Sequence, residues 1–343
     1  MTPKTIQLAG VPCPLYPIAL GTAEYGSQIS QDDAFRLLDA YVDGGGNVLD
    51  TAHVYGAWDR NGVNGGYGNS EAVLGRWLES RGCRDQMVIG TKGGHPDFAT
   101  CETGLTRLTV QRQLRECLDR LKTEAVDIYW FHRDNREIPA IEILDWLREP
   151  LRAGQIRSIG CSHWRPDRLQ EAQDAAAKLG MPPIQTSQIR WCLALPNHTT
   201  ANGKFGEQLL MDDDTWRYHV KTGLAVIAYN AQAGGLFAQE CAAIALSDPT
   251  FPKPDLARSF GNPTTESRRQ AARTTAAALG CSINQVALAW LLHQPFPTVA
   301  LVGPKTVDQV HDSLRAAHVS LDENQFAALS ARVEREVTVG ASS

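Results

Sequence analysis

The sequence predicts an α/β fold built as a single (β/α)8 barrel. Eight short apolar segments recur along the chain, each followed by a helical pattern, and eight is the strand number of this barrel. Several segments are apolar almost throughout, which is typical of strands covered on both faces. The open nucleotide-binding sheets need a glycine-rich phosphate turn, but neither GxGxxG nor GxxxxGK occurs. The predicted strands are residues 17–21, 47–50, 87–92, 126–132, 156–162, 184–189, 224–229 and 298–303.

The helices between these strands carry boundary signals of their own. Ser30 is a suitable N-cap for the first helix, and Gly82 follows the end of the second. Thr109 is expected to cap the helix before the fourth strand, whose apolar residues recur at helical spacing. Thr306 and Gln309 have the spacing of a capping box at the start of the last strand-to-helix junction.

Long loops without clear periodicity follow several of the strands, at residues 57–68, 93–108, 195–214 and 231–265. In a barrel these loops gather at the carboxyl-terminal face, where the active site is built. Residues 5–15 are expected to form a short hairpin that closes the opposite end. Because no linker interrupts the pattern, residues 1–343 are expected to form one domain.

Composition narrows the function classes. A net charge of −5 gives no basic surface for a nucleic acid. No apolar run reaches membrane-spanning length, and the N-terminus lacks the apolar core of a secretory signal. The eight cysteines are scattered without metal-ligand spacing, so they are interpreted as reduced thiols. These features favour a cytoplasmic protein with no membrane or nucleic-acid partner and no metal.

Four polar residues stand at or near consecutive predicted strand ends. Asp50, Lys92 and His132 end the second, third and fourth strands, and Tyr55 lies five residues beyond Asp50. Barrel closure would bring them together around a carbonyl group, which needs a proton donor on its oxygen during reduction. Tyr55 is the candidate acid, with its pKa lowered by Lys92, which Asp50 keeps charged. His132 would hydrogen-bond the substrate oxygen. Taken singly, each residue is more often a cap or a surface group; only the joint placement favours catalysis.

Several motifs in order resemble the aldo-keto reductase family. The stretch GGNVLDTAHVYG at 45–56, followed by SEAVLG at 70–75, resembles its signature, and GTKGG at 90–94 and IYWFHR at 128–133 resemble its lysine and histidine strands. GCSHW at 160–164, Gln188, AYN at 228–230 and QVALAWL at 285–291 extend the resemblance over about residues 15–320. It implies reversible carbonyl reduction with NADP(H), with NAD(H) as the alternative, and places the catalytic tetrad on Asp50, Tyr55, Lys92 and His132.

The resemblance also implies the cofactor site. Ser162, His163 and Gln188 match residues at the nicotinamide carboxamide, and Tyr229 matches the aromatic residue stacked on the ring, although core packing also explains a tyrosine there. His163 replaces the usual asparagine, and capping explains Gln309 as well as adenine contact does. The remaining implied cofactor residues are Gly21, Thr22, Asp50, Asn230, Gln232, Gly234, Gly303, Lys305, Gln309 and Ser313.

The loop at 57–68 is longer than is common in that family and is expected to border the substrate pocket. Its polar and aromatic residues suit a sugar or polyol-type carbonyl, although a plain surface loop explains them equally well. The candidate substrate residues are Trp58, Arg133, Trp164 and Trp191. Arg133 and Asp134 are alternatively expected to pair only with each other.

Two other function classes remain open at this point. The same barrel serves elsewhere as a non-catalytic, nicotinamide-binding, redox-sensing subunit. A metal-dependent barrel hydrolase is the second alternative, but such enzymes often begin their ligand set with His-x-His, and that pair does not occur among the nine histidines.

Overall fold

The computed structural model describes residues 3–58, 66–102, 104–197, 200–203 and 206–333. Eight parallel strands close into a barrel in the order β1-β10-β9-β6-β5-β4-β3-β2, which confirms the predicted fold. β7 and β8 form a separate antiparallel ribbon that the sequence did not predict. The strands are β1 Ile18–Gly21, β2 Val48–Asp50, β3 Val88–Gly93, β4 Val126–Phe131, β5 Ile156–Ser162, β6 Thr186–Arg190, β7 Thr200–Gly203, β8 Gly206–Leu209, β9 Ala225–Tyr229 and β10 Thr298–Val302.

Helices surround the barrel and fill the junctions between its strands. The long helices follow the strands at the predicted places, and four short ones lie in pairs, two between the fourth and fifth barrel strands and two in the loop at 231–265. The helices are α1 Gln31–Asp43, α2 Asn69–Arg81, α3 Arg107–Leu121, α4 Ala140–Asp145, α5 Arg148–Arg152, α6 Pro166–Leu179, α7 Asp213–Thr222, α8 Gln239–Ala242, α9 Pro254–Phe260, α10 Pro263–Leu279, α11 Ile283–Leu292, α12 Val307–Arg315 and α13 Glu323–Ser330.

The strand register aligns the carboxyl ends of the strands at one face. Asp50 of β2 pairs with Gly90 of β3, and Lys92 of β3 pairs with Trp130 of β4. Ser162 at the end of β5 pairs with Gln188 of β6. Because all pairs are parallel, the side chains at these positions meet at the same end of the barrel.

Helix caps confirm part of the boundary prediction and correct the rest. Ser30 accepts a hydrogen bond from the Asp33 amide and caps α1, as predicted. The predicted cap at Thr109 is wrong, because α3 begins at Arg107 and its N-cap is Thr106, whose hydroxyl accepts from the Thr109 amide. The capping hydroxyl belongs to the extended residue just before the helix. The threonine nearest to the apolar stripe already lies inside the helix and is not the cap.

The capping box predicted before α12 is half formed. The Thr306 hydroxyl accepts from the Gln309 amide at 3.3 Å. The Gln309 side chain reaches one residue further back than the motif requires and accepts from the Lys305 amide at 2.8 Å. It therefore orders the turn after β10 as well as the helix.

The amino-terminal segment closes the bottom of the barrel. The predicted hairpin at 5–15 is present as one antiparallel bridge, in which the amides and carbonyls of Ile6 and Leu15 bond each other at 3.0 and 2.8 Å. Leu8 and Val11 pack with them against inward-facing residues such as Val48. This apolar plug leaves the carboxyl-terminal face as the open end of the barrel.

No single described helix is both long enough and apolar enough to cross a membrane. Among the described helices one pair, α10 and α11, reaches that length and composition together, and a bend of 102° separates its two members.

Candidate active site

Lys92 lies at the centre of a buried polar cluster at the open end. Its ammonium group donates to Asp50 Oδ2 at 2.6 Å, to the Thr51 carbonyl at 2.7 Å and to Tyr55 Oη at 3.0 Å. The side chain is fully buried. Three acceptors match the three ammonium protons, so the charge is completely coordinated by residues from β2, β3 and the loop after β2. The structure brings the side chains of Asp50, Tyr55 and Lys92 together, as the sequence predicts.

Asp50 extends this cluster across the barrel. Its second oxygen, Oδ1, accepts from Gln188 Nε2 at 2.8 Å. The Gln188 carbonyl in turn accepts from the Ser162 hydroxyl at 3.0 Å. All three side chains are buried. A continuous hydrogen-bond path therefore joins the ends of β2, β6 and β5, and it holds the Asp50 carboxylate in one orientation.

Burial governs the electrostatics of the acid candidate. Burial raises the pKa of Tyr55 above its ordinary value, and the opposing effect of the Lys92 charge is smaller. Lys92 acts to lower this pKa, as expected, but burial outweighs it, so the net shift is opposite to the expected one. Burial acts to lower the pKa of Lys92, but Asp50 and Tyr55 together raise it above the ordinary value. The phenol is thus protonated and the ammonium charged at neutral pH.

His132 lies beside Tyr55, with the two ring centroids 6.0 Å apart and the rings nearly perpendicular. Burial, followed by the charges of His95 and Arg133, holds the pKa of His132 well below its usual value. The imidazole is therefore neutral and has one N–H to donate. Within the described residues its Nδ1 is buried and has no hydrogen-bond partner. The fourth predicted residue thus borders the cluster without bonding it.

Three rings lie next to one another beside Tyr55. We call them the aromatic wall: Trp58, His95 and Phe98. The Trp58 ring is 6.2 Å from Tyr55 and 6.4 Å from Phe98, and Phe98 stacks on His95 at 5.3 Å. His95 in turn lies 4.8 Å from His132. Trp58 remains 38% exposed, so it stands at the rim of the site. Residues 59–65 of the predicted insertion lie outside the described residues.

Sequence reasoning missed His95 and Phe98. Both lie in the loop after β3, three and six residues beyond Lys92. The loop was identified as part of the catalytic face, but its lack of periodicity gave no sign of which side chains turn inward. The sign in the sequence that could have identified His95 and Phe98 was their position just after the strand that carries Lys92.

On the other side of the site, Tyr229 ends β9 with its hydroxyl 3.4 Å from His163 Nε2. His163 Nδ1 accepts from the Leu209 amide of β8 at 3.0 Å, so its Nε2 carries the proton and donates to Tyr229. Burial, aided by Arg133, lowers the pKa of His163 to about 3. His163 was expected to contact the nicotinamide carboxamide. Instead, one of its ring nitrogens bonds Tyr229 and the other bonds the β7–β8 ribbon.

The turn after β9 has an unusual backbone. Asn230, Ala233, Gly234 and Gly235 all have positive φ, from 51° to 86°. We call this turn the nest, because turn backbones that present several amides to one side are known by that name; the Ala233 and Gly235 amides are already bonded, to the carbonyls of Asn230 and Gln232. A Cβ atom at Gly235 would lie 2.8 Å from Lys253 Nζ, so an ammonium group stands against this turn. Lys253, which also pairs with Glu240 at 3.0 Å, was missed because it lies in the aperiodic loop 231–265.

The turn after β10 is open at Gly303, where a Cβ atom would meet no other atom within 4 Å. The Lys305 ammonium pairs with Glu24 Oε2 at 2.9 Å. Gln232 Nε2 donates to Ser313 Oγ at 3.2 Å, so these two predicted cofactor residues contact each other. Together these groups line a second polar turn beside the nest.

The first strand contributes backbone more than side chains. A Cβ atom at Gly21 would lie 3.3 Å from the Val302 carbonyl, which is a tight contact. Thr22 is fully buried, and its hydroxyl bonds the Asp50 carbonyl at 2.9 Å and Ser70 Oγ at 2.7 Å. The Thr22 side chain therefore supports the loop before Tyr55.

Three expectations for the substrate pocket are corrected. Trp164 is fully buried, stacked on Phe131 at 5.9 Å, and so does not face the open site. Trp191 packs its ring against neighbouring aromatic rings in the core. Asp134 pairs with Arg168 at 3.1 Å instead of with Arg133. Both tryptophans follow strand ends, but their large apolar rings are better accommodated in the core than in a pocket open to solvent.

The fold and this cluster define a (β/α)8 barrel with a buried phenol–ammonium–carboxylate centre at its carboxyl-terminal face. A sequence profile of the aldo/keto reductase family matches residues 17–334. The chain belongs to the aldo/keto reductase family.

Named relatives agree with this membership. The chain is 30% identical over 314 residues to "Uncharacterized oxidoreductase YrpG" of Bacillus subtilis (strain 168), covering 89% of this chain and 88% of the relative. It is 28% identical over 349 residues to "Protein tas" of Escherichia coli (strain K12), covering 92% and 93%. It is 26% identical over 330 residues to "Aldo-keto reductase ausK" of Emericella nidulans, covering 90% and 76%. The family and these names support an oxidoreductase that acts on carbonyl compounds with a nicotinamide cofactor.

Proposed function

We propose that this protein reduces an aldehyde or ketone to the alcohol, with NADPH as the preferred cofactor, NADH as the alternative and Tyr55 as the general acid. The observation that carries the proposal is the contact between Tyr55 Oη and Lys92 Nζ at 3.0 Å, with Lys92 held by Asp50 at 2.6 Å. A phenol bonded to a fixed ammonium group is a protonated acid whose conjugate base is stabilised as it forms.

The residues present fit a nicotinamide dinucleotide. Tyr229 offers a partly exposed ring at the end of β9, the strand that pairs with the Gln188 strand β6, and it contacts His163, which follows Ser162. The nest at 230–235, with Lys253 against it, suits a pyrophosphate, because backbone amides and an ammonium both bind anions. When bound, the reduced nicotinamide supplies a hydride to the carbonyl carbon and is itself oxidised.

Lys305 motivates the preference for NADPH. Its ammonium group lies at the turn after β10, and a 2′-phosphate adds negative charge that this group would stabilise. Lys305 is paired with the Glu24 carboxylate at 2.9 Å. We expect the preference to be moderate, since Glu24 offsets part of the charge near Gly303.

The proton chemistry belongs to the chain itself. As the C=O π bond breaks, its electrons move to oxygen, which takes the Tyr55 proton. The Lys92 ammonium stabilises the resulting phenolate, and solvent then returns a proton to Tyr55. Neutral His132 donates a second hydrogen bond to the substrate oxygen, which positions the carbonyl. The buried Asp50 keeps Lys92 charged throughout.

The substrate is proposed as a small carbonyl compound lying between Tyr55 and the aromatic wall. A sugar or polyol-type carbonyl remains the expectation from the polar residues of the insertion. The eight cysteines are all free thiols, which accords with the proposed cytoplasmic location.

The direct test is oxidation of NADPH, and separately NADH, followed at 340 nm with aliphatic, aromatic and sugar aldehydes. We expect turnover with several aldehydes and a lower Kd for NADPH than for NADH. Tight NADPH binding without turnover of any carbonyl would contradict the proposal and favour a redox-sensing subunit.

A further inference from the structure

Arg133 is a partly buried cation that the proposed mechanism does not use. It follows His132 directly at the end of β4. Its Nη1 donates to the His132 carbonyl at 2.9 Å, and its own carbonyl accepts from Trp164 Nε1 at 3.3 Å. Its Nε is buried and has no hydrogen-bond partner among the described residues. Of its five N–H donors, the structure thus assigns one.

Within the part of the chain that the structure describes, no carboxylate forms a salt bridge with Arg133. The adjacent Asp134 is taken by Arg168, at 3.1 Å. Asp50 is bonded on one oxygen by Lys92 and on the other by Gln188. A partly buried guanidinium without an anionic partner has lost part of its hydration without compensation, and a bound anion would offset that cost.

The guanidinium charge acts on groups from four places at the open end of the barrel. Burial is the largest influence on the pKa of Tyr55, Tyr229, His95 and His163, and the Arg133 charge is a further influence on the pKa of each. Tyr229 ends β9, and the other three residues follow β2, β3 and β5. The bond from Nη1 to the His132 carbonyl holds the guanidinium beside the same site, where the carbonyl group is proposed to bind.

The phosphates of the cofactor do not account for this cation. The nest and the second polar turn follow β9 and β10. In the barrel order, β4 lies diametrically opposite β10, with three strands between them in either direction. Arg133 thus stands on the side of His132 and the aromatic wall, where the substrate is expected.

We propose that the substrate is an oxo acid, an aldehyde or ketone whose carboxylate binds Arg133 while its carbonyl oxygen faces Tyr55 and His132. This inference rests on the proposed function and names its substrate class. A carboxylate accepts two parallel hydrogen bonds from a guanidinium fork, which Lys cannot reproduce. It would satisfy the unpartnered Nε and leave the aromatic wall to cover the carbon chain. The inference favours an acid over the neutral sugar expected from the insertion.

The test compares oxo acids with neutral partners of similar size: pyruvate with butanone, 4-oxobutanoate with butanal, and 4-formylbenzoate with its methyl ester. In the wild type we expect at least one acid to exceed its partner in kcat/KM by about 100-fold, the effect of losing a charged bidentate contact. Arg133→Met should remove that discrimination, mainly by raising the KM of the acids. Arg133→Lys should retain only part of it.

Arg136→Met is the matched control, because Arg136 lies in the same loop but is exposed and pairs with Asp167. It should keep the wild-type discrimination. The NADPH Kd, measured by calorimetry, should be unchanged in Arg133→Met. A succinate-induced rise in Tm should occur in the wild type and disappear in that variant, which tests carboxylate binding without turnover.

The outcomes separate the two proposals. If neutral aldehydes are reduced but no acid is preferred, or if Arg133→Met leaves a preference intact, the oxo-acid inference is overturned and the carbonyl reductase stands. If Arg133→Met weakens NADPH binding instead, the cation serves the cofactor and the inference is also overturned. If no carbonyl compound is reduced at all, the proposed function itself fails.

Discussion

Two cations lie in the same site and differ in how they are buried and coordinated. Lys92 is fully buried and donates to three oxygen atoms, including the carboxylate of Asp50. Arg133, one strand further around the barrel, is partly buried, and among the described residues its one assigned acceptor is a backbone carbonyl. The fold thus provides a carboxylate for Lys92, whereas Arg133 is left for a bound anion to neutralise. We infer that the first belongs to the permanent proton machinery and the second to ligand recognition.

The largest expected effect on stability is at Lys92. Lys92→Met should lower the free energy of unfolding by about 3–5 kcal/mol, because it leaves the Asp50 carboxylate buried and unpaired. Arg133→Met should change it by less than about 1 kcal/mol, since no buried anion loses its partner. Urea denaturation of the two variants measures the difference. Equal destabilisation would break the contrast between the two cations.

The second effect concerns pH and the neutral histidines around Arg133. Burial, aided by Arg133, lowers the pKa of His163 to about 3 and that of His95 to about 4. A histidine whose pKa is depressed by folding stabilises the protein above its unfolded pKa of about 6.5, and this stability is lost as pH falls toward the folded pKa. Each such histidine lowers the free energy of unfolding by up to about 1.4 kcal/mol for every pH unit below pH 6.5.

Denaturation midpoints between pH 7 and 4 measure this slope. His163→Asn should make it shallower, whereas His311→Gln, at an exposed position, should leave it unchanged. A slope that is the same in all three proteins would show that His163 is not held neutral by burial.

The smallest expected effect is at a helix cap remote from both cations. Thr106→Ala should destabilise the protein by about 1 kcal/mol, because it removes the acceptor for the Thr109 amide at the start of α3. Thr109→Ala should have little effect, since its side chain is not the cap. The two midpoints in urea give a baseline for ordinary surface changes. A larger loss in Thr109→Ala would reverse the cap assignment.

The sequence was sufficient to predict the barrel and the convergence of Asp50, Tyr55 and Lys92, because parallel strands in a closed sheet must end at one face. It could not predict the sign of the Tyr55 pKa shift, which depends on how deeply the phenol is buried. Loop side chains such as His95 and Lys253 were missed, since aperiodic segments do not reveal which residues face inward. Nor does the sequence show that Asp134 turns to α6 and leaves Arg133 without a carboxylate.

The most direct test of the central claim is single-turnover oxidation of bound NADPH by a neutral aldehyde, with Tyr55→Phe measured beside the wild type. The substitution removes the acid and keeps the ring against Lys92. We predict that the rate falls by about 10²- to 10⁴-fold while the NADPH Kd changes by less than about twofold. A rate within a few-fold of the wild type would contradict the account, because another group would then be supplying the proton.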